Sequence, residues 1–524
     1  MKKTRSTKNT YSSRFAPSKR KELTTPNNLT HKFSARALNL FILLPLLIAI
    51  GIVPLVVFLK VTPIPVDYQQ FWITAYVFDF FSYYKAQIII FCAGLILADA
   101  LILNHLGQLP RRQLVFKIPL VVYAAMIVLS TLLSAHHSIA LNGFFERYEG
   151  MWVLLAYIIL MLGAYLFVST LNQVWLILGA WIAALCIIAV LGLLQLTGND
   201  FFQTTTGRFL ILPSQYNCIA NSLDFNFPKY WIYGTLYNPN NVASMMALVL
   251  PITTTCFIFS KSKIRRIGFG VLTGLFALVL AGTHARGGWI AIVIAALLLL
   301  GVFMRHKQLR YWKLLSAFTL VAVLGFTTLI WWGVNRANDV AINQDYATHS
   351  VPAIPEQLSE RLIRHYGTLG SGRLYIWIRS LQMAKETLLY GRGPDTFAVY
   401  FPNQDSYKRF FNQPEAFIDK AHNLYIQIWL NLGGLATLAF IAMVVLHIVQ
   451  TFKLLSKAEP SGDLYMLSSG LYAGWFAYLV AAMFYDSVVS VAPAFWIIFG
   501  LSLAVNHQMN SAINSSNCAE LSTE

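Results

Sequence analysis

Long apolar stretches constrain this chain more than any other feature. About twelve such runs follow one another, and most approach the roughly 20 residues that cross a bilayer core. They fall at 38–59, 84–103, 118–133, 151–168, 174–196, 242–259, 267–281, 289–304, 314–332, 424–446, 467–484 and 491–505. Only 12% of the 524 residues are charged, about half of what a soluble domain carries. The predicted fold is an all-α polytopic membrane protein with about twelve transmembrane helices.

The basic residues orient these predicted helices. With a cytoplasmic N-terminus, the short loops 111–117, 261–266 and 305–313 lie in the cytoplasm, and they contain Lys and Arg but no Asp or Glu. Cytoplasmic loops are enriched in Lys and Arg, so we expect both termini in the cytoplasm. The net charge of +17 is then explained by topology and contact with anionic lipids, and no nucleic-acid partner is expected.

The predicted domain organisation follows from this topology. A basic, disordered tail is expected at 1–37. It is not expected to be a cleavable signal, since the run after it is long enough to span and no cleavage site follows. Transmembrane helices 1–9 occupy 38–333, a large extracytoplasmic loop occupies 334–421, helices 10–12 occupy 422–506, and a second tail occupies 507–524. The five cysteines show no disulfide framework and no metal-binding spacing.

The predicted outer loop contains one helical pattern. After Ser371-Gly372, apolar residues recur at helical spacing on one stripe, at Leu374, Trp377, Ile378, Leu381 and Leu388. We therefore predict an amphipathic helix that begins at Arg373 and lies on the membrane or on the helix bundle.

Two side chains on the predicted outer face suggest chemistry. Arg286 lies in a turn between two apolar runs with no carboxylate in that turn, so it either binds an anion such as phosphate or extends to lipid headgroups. His422 lies where the outer loop meets a helix. It is either structural or a general base, with Asp419 as a candidate orienting group. No metal-binding pattern is found on this face, so no metal or cofactor is expected.

Short motifs in a fixed order carry a resemblance. They are Tyr237-Asn-Pro-Asn-Asn-Val-Ala243, the Arg-Gly turn at Arg286, Ser371-Gly-Arg373 with Trp377, Tyr390-Gly-Arg-Gly393 with Phe397, Ala421-His-Asn-Leu424 and Gly433-Gly434. Phe145-Glu-Arg-Tyr-Glu-Gly150 matches more loosely. Together they resemble the O-antigen ligase and O-antigen polymerase superfamily.

The resemblance implies a glycosyltransferase of the bacterial plasma membrane. Such an enzyme moves a saccharide from a polyprenyl-pyrophosphate carrier, such as undecaprenyl pyrophosphate, to an acceptor hydroxyl during cell-envelope polysaccharide assembly, without a metal. The essential histidine of the family corresponds to His422, as the catalytic residue. Its two essential arginines correspond to Arg286 and Arg373, which bind pyrophosphate, and Arg147 is grouped with them.

Other functions remain open at this stage. A flippase or exporter of lipid-linked saccharides would share the topology, although such proteins usually carry ionisable residues deep in several helices. A non-catalytic scaffold of a polysaccharide machine would not need His422. The sequence also does not choose among polymerase, lipid ligase and protein O-glycan ligase, so the acceptor is a glycan, lipid or protein hydroxyl, and the sugar is not identified.

Overall fold

The computed structural model describes residues 40–71, 75–223, 225, 227, 230–304, 359, 362–363, 370–405 and 417–521. Contacts between Cα atoms divide the chain into one unit at 1–42 and another at 43–524. Only the end of the first unit is described, so the following account concerns the second. The predicted tail, the predicted span 314–332 and much of the predicted loop 334–421 lie outside the described residues.

The described chain is almost entirely α-helical. Its helices are α1 (Leu40–Leu55), α2 (Tyr83–His105), α3 (Lys117–Leu132), α4 (His137–Asn142), α5 (Met151–Phe167), α6 (Leu171–Leu196), α7 (Thr205–Ile211), α8 (Pro239–Phe259), α9 (Lys263–Gly282), α10 (Arg286–Met304), α11 (Arg373–Ala384), α12 (Phe397–Tyr400), α13 (Leu424–Leu432), α14 (Gly434–Lys457), α15 (Gly462–Ala481) and α16 (Ala492–Leu521). A small antiparallel hairpin joins β1 (Lys60–Pro63) to β2 (Tyr76–Asp79), with Lys60 opposite Asp79.

Seven of the described helices, α2, α6, α8, α9, α10, α14 and α15, are long and apolar enough to cross a membrane. The helices α1, α3 and α5 are also apolar but shorter. The predicted helical membrane class is therefore confirmed. The number of twelve spans stays a prediction, because one predicted span is not among the described residues.

Two helices form the buried centre of the bundle. In both α8 and α15, 89% of the most apolar window is buried, whereas in α9 the buried share is 17%. The central α15 packs against α8, α10 and α16, and α5 packs against α2 and α16. A helix that is apolar on all sides is stable only when neighbours or lipid surround it. The centre therefore provides a rigid support for the loop 482–491, which connects α15 to α16.

The predicted span 424–446 is divided in the structure. Gly433 has a φ of 101°, a conformation that favours glycine, and it separates the short α13 from the membrane-length α14. The backbone before Gly391 lies directly against this break, because a Cβ atom on Gly433 would be only 2.6 Å from the Leu389 carbonyl oxygen. A Cβ atom on Gly391 would likewise be 2.1 Å from the backbone of Asn431. The glycine motifs thus allow two backbone segments to touch.

Helix α11 begins at Arg373 as predicted, and the face through which it packs overlaps the predicted stripe only in part. Its buried residues are Tyr375, Ile376, Ser380 and Ala384. Leu381, which belongs to the predicted apolar stripe, is 51% exposed. Trp377 and Ile378 of the stripe are partly buried against the same core as Tyr375, so the stripe is divided between a packed part and an exposed part.

Candidate active site

The side chains predicted to act lie around loops at one end of the bundle, which we call the loop end. It comprises the turn 143–150, the turn 282–288, the segment 417–423 and the loop 482–491. Ion pairs and hydrogen bonds join these four segments to one another. Residues that are far apart in the sequence therefore form one site.

His422 has a constrained backbone and an accessible side chain. Its φ of 49° is left-handed, which is uncommon for a non-glycine residue, and its side chain is 39% exposed. Both neighbours are fixed. The Asn423 side chain donates to the Met483 carbonyl at 3.0 Å, and the Trp377 indole donates to the Ala421 carbonyl at 3.0 Å. These contacts hold the imidazole at the edge of the loop end.

Asp486 is the partner of His422. Its Oδ2 atom lies 2.6 Å from His422 Nδ1, and its side chain is only 10% exposed. Burial alone would raise the pKa of Asp486, but His422, Lys420 and Arg147 together lower it below its ordinary value. In the tautomer with its proton on Nδ1, the imidazole donates to the ionised carboxylate, and Nε2 carries the free lone pair.

Sequence reasoning missed Asp486 and considered Asp419 instead. Asp486 follows His422 by 64 residues and comes from the loop after α15, so no local pattern relates them. The available signal was a single acidic residue at the predicted outer end of the apolar run 467–484.

Asp419 forms an ion pair with Arg147. The Arg147 guanidinium also lies 5.7 Å from the ring centre of Tyr237, whose own φ is 76°. Burial alone would lower the pKa of Arg147, but Asp419, Tyr237 and Glu146 raise it above its ordinary value. Arg147 is therefore a permanent cation whose charge is already matched by a carboxylate.

Arg286 begins α10 and is exposed. No carboxylate pairs with it among the residues that the structure describes. The two glycines that follow it allow close packing, since a Cβ atom on Gly287 would lie 2.8 Å from the Tyr485 hydroxyl oxygen. That hydroxyl accepts the Gly288 N–H at 3.0 Å. The Arg-Gly-Gly sequence thus fixes the turn on the loop 482–491.

Arg373 lies near the same tyrosine. Its guanidinium is 6.0 Å from the Tyr485 ring centre and donates to the Gly370 carbonyl at 3.0 Å. Its Nε atom is buried without a hydrogen-bond partner in the described part of the chain. Tyr485 therefore contacts the Arg286 turn and Arg373, while the adjacent Asp486 contacts His422.

A buried ion pair joins the turn 143–150 to the segment 417–423. Lys420 Nζ lies 2.7 Å from Glu149 Oε2, and the two side chains are 3% and 6% exposed. Glu149 also accepts hydrogen bonds from Tyr157 at 2.9 Å and from the Ser487 hydroxyl at 2.6 Å. Lys420 donates a further bond to the Ser487 carbonyl at 2.8 Å. These bonds give both charged groups hydrogen-bonding partners, as a buried pair requires.

Asp395 ties the turn 143–150 to the helix α12. Its Oδ2 atom accepts the backbone N–H groups of Phe144 at 2.7 Å and Glu149 at 3.1 Å. Burial raises the pKa of Asp395 more than Lys420 and these N–H groups lower it. The carboxyl group therefore serves as a structural acceptor for a strained turn.

Backbone strain is concentrated at the loop end. Positive φ angles outside glycine occur there at Glu146, Tyr148, His284 and His422, and in segments that contact the loop end at Tyr237, Ser371 and Asp395. Such conformations persist only where the surrounding structure enforces them, and they cluster at functional sites.

Glu146, in the turn 143–150, has a shifted pKa. Burial raises it to about 7, with Asp79 and Asp419 also raising it and Arg147 opposing the rise.

The apolar helices and the loop-end site define the class of this molecule as a polytopic membrane protein with a His–Asp pair beside arginines. Residues 269–441 match the family described as O-antigen ligase, which supports the resemblance to the O-antigen ligase and polymerase family. The match includes Arg286, Arg373 and His422, whereas Arg147 and Asp486 lie outside it. The match suggests a membrane glycan transferase of polysaccharide assembly. None of the curated proteins matches the chain.

Proposed function

We propose that this protein transfers a saccharide from a polyprenyl-pyrophosphate carrier to an acceptor hydroxyl on the outer face of the bacterial plasma membrane. The observation that carries the proposal is the His422–Asp486 pair beside Arg286 and Arg373, which have no carboxylate partner among the described residues. A base and unpaired cations on neighbouring loops suit a reaction in which an alcohol loses a proton and a pyrophosphate leaves.

The chemical step uses both parts of this site. The acceptor hydroxyl gives its proton to Nε2 of His422, and its oxygen forms a bond to the anomeric carbon of the donor. The bond from that carbon to the pyrophosphate oxygen breaks, and its electron pair stays on the pyrophosphate. Asp486 stabilises the imidazolium that forms, and water later removes its proton. A positioned base contributes about 10²–10⁴-fold.

The arginines stabilise the charge that develops on the leaving group. A guanidinium presents several N–H donors in a plane and suits two phosphate oxygens at once. Arg286 is exposed at the start of a helix, and Arg373 has a buried Nε without a partner in the described chain. We assign the main pyrophosphate contacts to these two residues. Arg147 contributes a secondary contact through the N–H groups that Asp419 does not use.

No metal has a role in this proposal, since arginines supply the positive charge. The purified protein in lipid vesicles, given a polyprenyl-pyrophosphate saccharide and the acceptor from the same cells, should form the glycosidic bond in the presence of EDTA. His422→Asn should bind the donor but form almost no product. Donor that moves across the bilayer without any transfer would instead identify an exporter, and transfer that His422→Asn leaves intact would remove the proposed base.

A further inference from the structure

A second group of side chains, which includes Phe145 of the turn 143–150, has no role in the chemical step described above. It consists of Tyr68, His136, Tyr400 and Phe145, which we call the aromatic strip. Ring centres are 5.4 Å apart for His136 and Tyr400, 5.9 Å for Tyr68 and His136, and 6.4 Å for Tyr68 and Phe145. All four side chains are half-buried, so each ring keeps part of its surface accessible.

The strip has polar atoms along its edge. The Tyr68 hydroxyl oxygen lies 3.0 Å from His136 Nδ1. Arg392 lies with its guanidinium 4.2 Å from the Tyr400 ring centre, and it also pairs with Glu386. Burial lowers the pKa of His136, so this imidazole is mainly neutral at pH 7. The strip therefore offers apolar faces and hydrogen-bonding groups with almost no net charge.

The strip is joined to the proposed catalytic loops by rigid contacts. Phe145 belongs to the same turn as Arg147, and the adjacent Phe144 ring stacks on Phe417 at 6.3 Å. Phe417 begins the described segment that leads to His422. On the other side, Tyr400 ends α12, which begins directly after the Asp395 acceptor. A ligand on the strip would thus be held in a fixed relation to His422.

We infer that the aromatic strip binds the saccharide portion of the acceptor. Pyranose rings have apolar C–H faces that pack on aromatic rings, and a rim of hydroxyls that bind neutral donors and acceptors. Sites for such molecules combine accessible ring surface with a few placed polar groups. The near-zero charge does not favour a phosphate, and the polar rim of Tyr68, His136 and Arg392 does not favour a lipid chain.

This inference rests on the proposed transferase function and deepens it. It separates two substrates by chemistry: the anionic pyrophosphate of the donor contacts unpaired arginines, and the sugar of the acceptor contacts neutral rings. It also selects a sugar-bearing acceptor, as in polymerases and glycolipid ligases, over a peptide hydroxyl.

Steady-state transfer by the purified protein, with native donor and acceptor, tests the strip. Tyr400→Leu keeps an apolar side chain on α12 but removes the ring, and His136→Ala removes a second ring. Each should raise the acceptor concentration at half-maximal rate by about five- to tenfold and leave the donor dependence unchanged. Tyr400→Phe keeps the stacking surface and should behave nearly as the wild type.

Phe209→Leu is the matched control, because Phe209 is a 45% exposed ring on α7 outside the strip. An unchanged acceptor dependence in both Tyr400→Leu and His136→Ala would overturn the inference, and so would a rise in the donor requirement instead. Absence of transfer by the wild type would overturn the proposed function itself. If Tyr400→Leu no longer elutes as a single folded species in detergent, the acceptor dependence of His136→Ala, compared with that of Tyr400→Phe, still tests the inference.

Discussion

Arg147 and Arg286 lie at the same end of the bundle, yet they differ in what their charge already contacts. Arg147 is 19% exposed and pairs with Asp419, whereas Arg286 is exposed and has no carboxylate partner in the described chain. A paired guanidinium holds two loops together, and an unpaired one is available to a ligand. The sequence analysis assigned both to pyrophosphate binding. Their contacts favour Arg286 over Arg147 as a principal ligand.

The largest effect should come from replacing His422, the proposed base that lies beside the unpaired arginines. His422→Asn tolerates the left-handed backbone and can still donate to Asp486, but it cannot accept a proton. Transfer should fall by about 10²–10⁴-fold, while donor binding persists. Wild-type activity should also fall on acidification, since imidazolium cannot act as a base. Rates and donor affinity measured between pH 5.5 and 7.5 check this, and a rate that rises toward pH 5.5 would exclude the base role.

A slightly smaller effect is expected from Arg286→Ala. Loss of one preorganised donor to a developing anion typically costs about 10²–10³-fold in rate. Arg286→Lys keeps the charge but loses the planar fork, so it should retain partial activity. Since Arg286 is exposed, the thermal midpoint in detergent should not change. Normal turnover by Arg286→Ala at normal expression would show that the free guanidinium is not a pyrophosphate ligand.

The paired arginine should behave in the opposite way. Arg147→Met leaves Asp419 half-buried and unmatched, which should lower stability by about 1–3 kcal/mol. The double variant Arg147→Met/Asp419→Asn removes both charges and should recover much of this loss. Thermal unfolding followed by circular dichroism gives the comparison. A single variant that is stable but as inactive as Arg286→Ala would make Arg147 a principal ligand instead.

The smallest effect concerns Glu146, which lies beside the paired arginine. Its folded pKa of about 7 exceeds the ordinary value, so the folded state keeps this proton where the unfolded chain has lost it. The wild type should therefore lose some stability as pH rises from about 4.3 to 7. Glu146→Gln should match the wild type near pH 4.5 and be more stable at pH 8. Equal thermal midpoints at both pH values would contradict the shift.

The sequence predicted the helices better than the contacts between them. Apolar length depends on local composition, so most predicted spans coincide with helices. No local sequence pattern identifies Asp486, because its partner His422 belongs to another segment of the chain. The Arg-Gly-Gly and Gly433-Gly434 motifs were recognised through resemblance alone. Their physical reason, close approach by Tyr485 and by the backbone before Gly391, depends on tertiary packing. The same packing decided which face of α11 is buried.

Tyr485 and Asp486 are consecutive residues, and this adjacency has a mechanical consequence. Tyr485 contacts Arg373 and the turn of Arg286, the proposed pyrophosphate ligands, and Asp486 contacts His422, the proposed base. Since hydrogen bonds weaken within a few tenths of an ångström, a displacement of the loop 482–491 would disconnect both functions together. The site would then have both functions in place or neither. A site that binds the donor pyrophosphate without a positioned base would then be rarely populated. Water would have little opportunity to replace the acceptor, and the carrier-linked saccharide would be protected from hydrolysis.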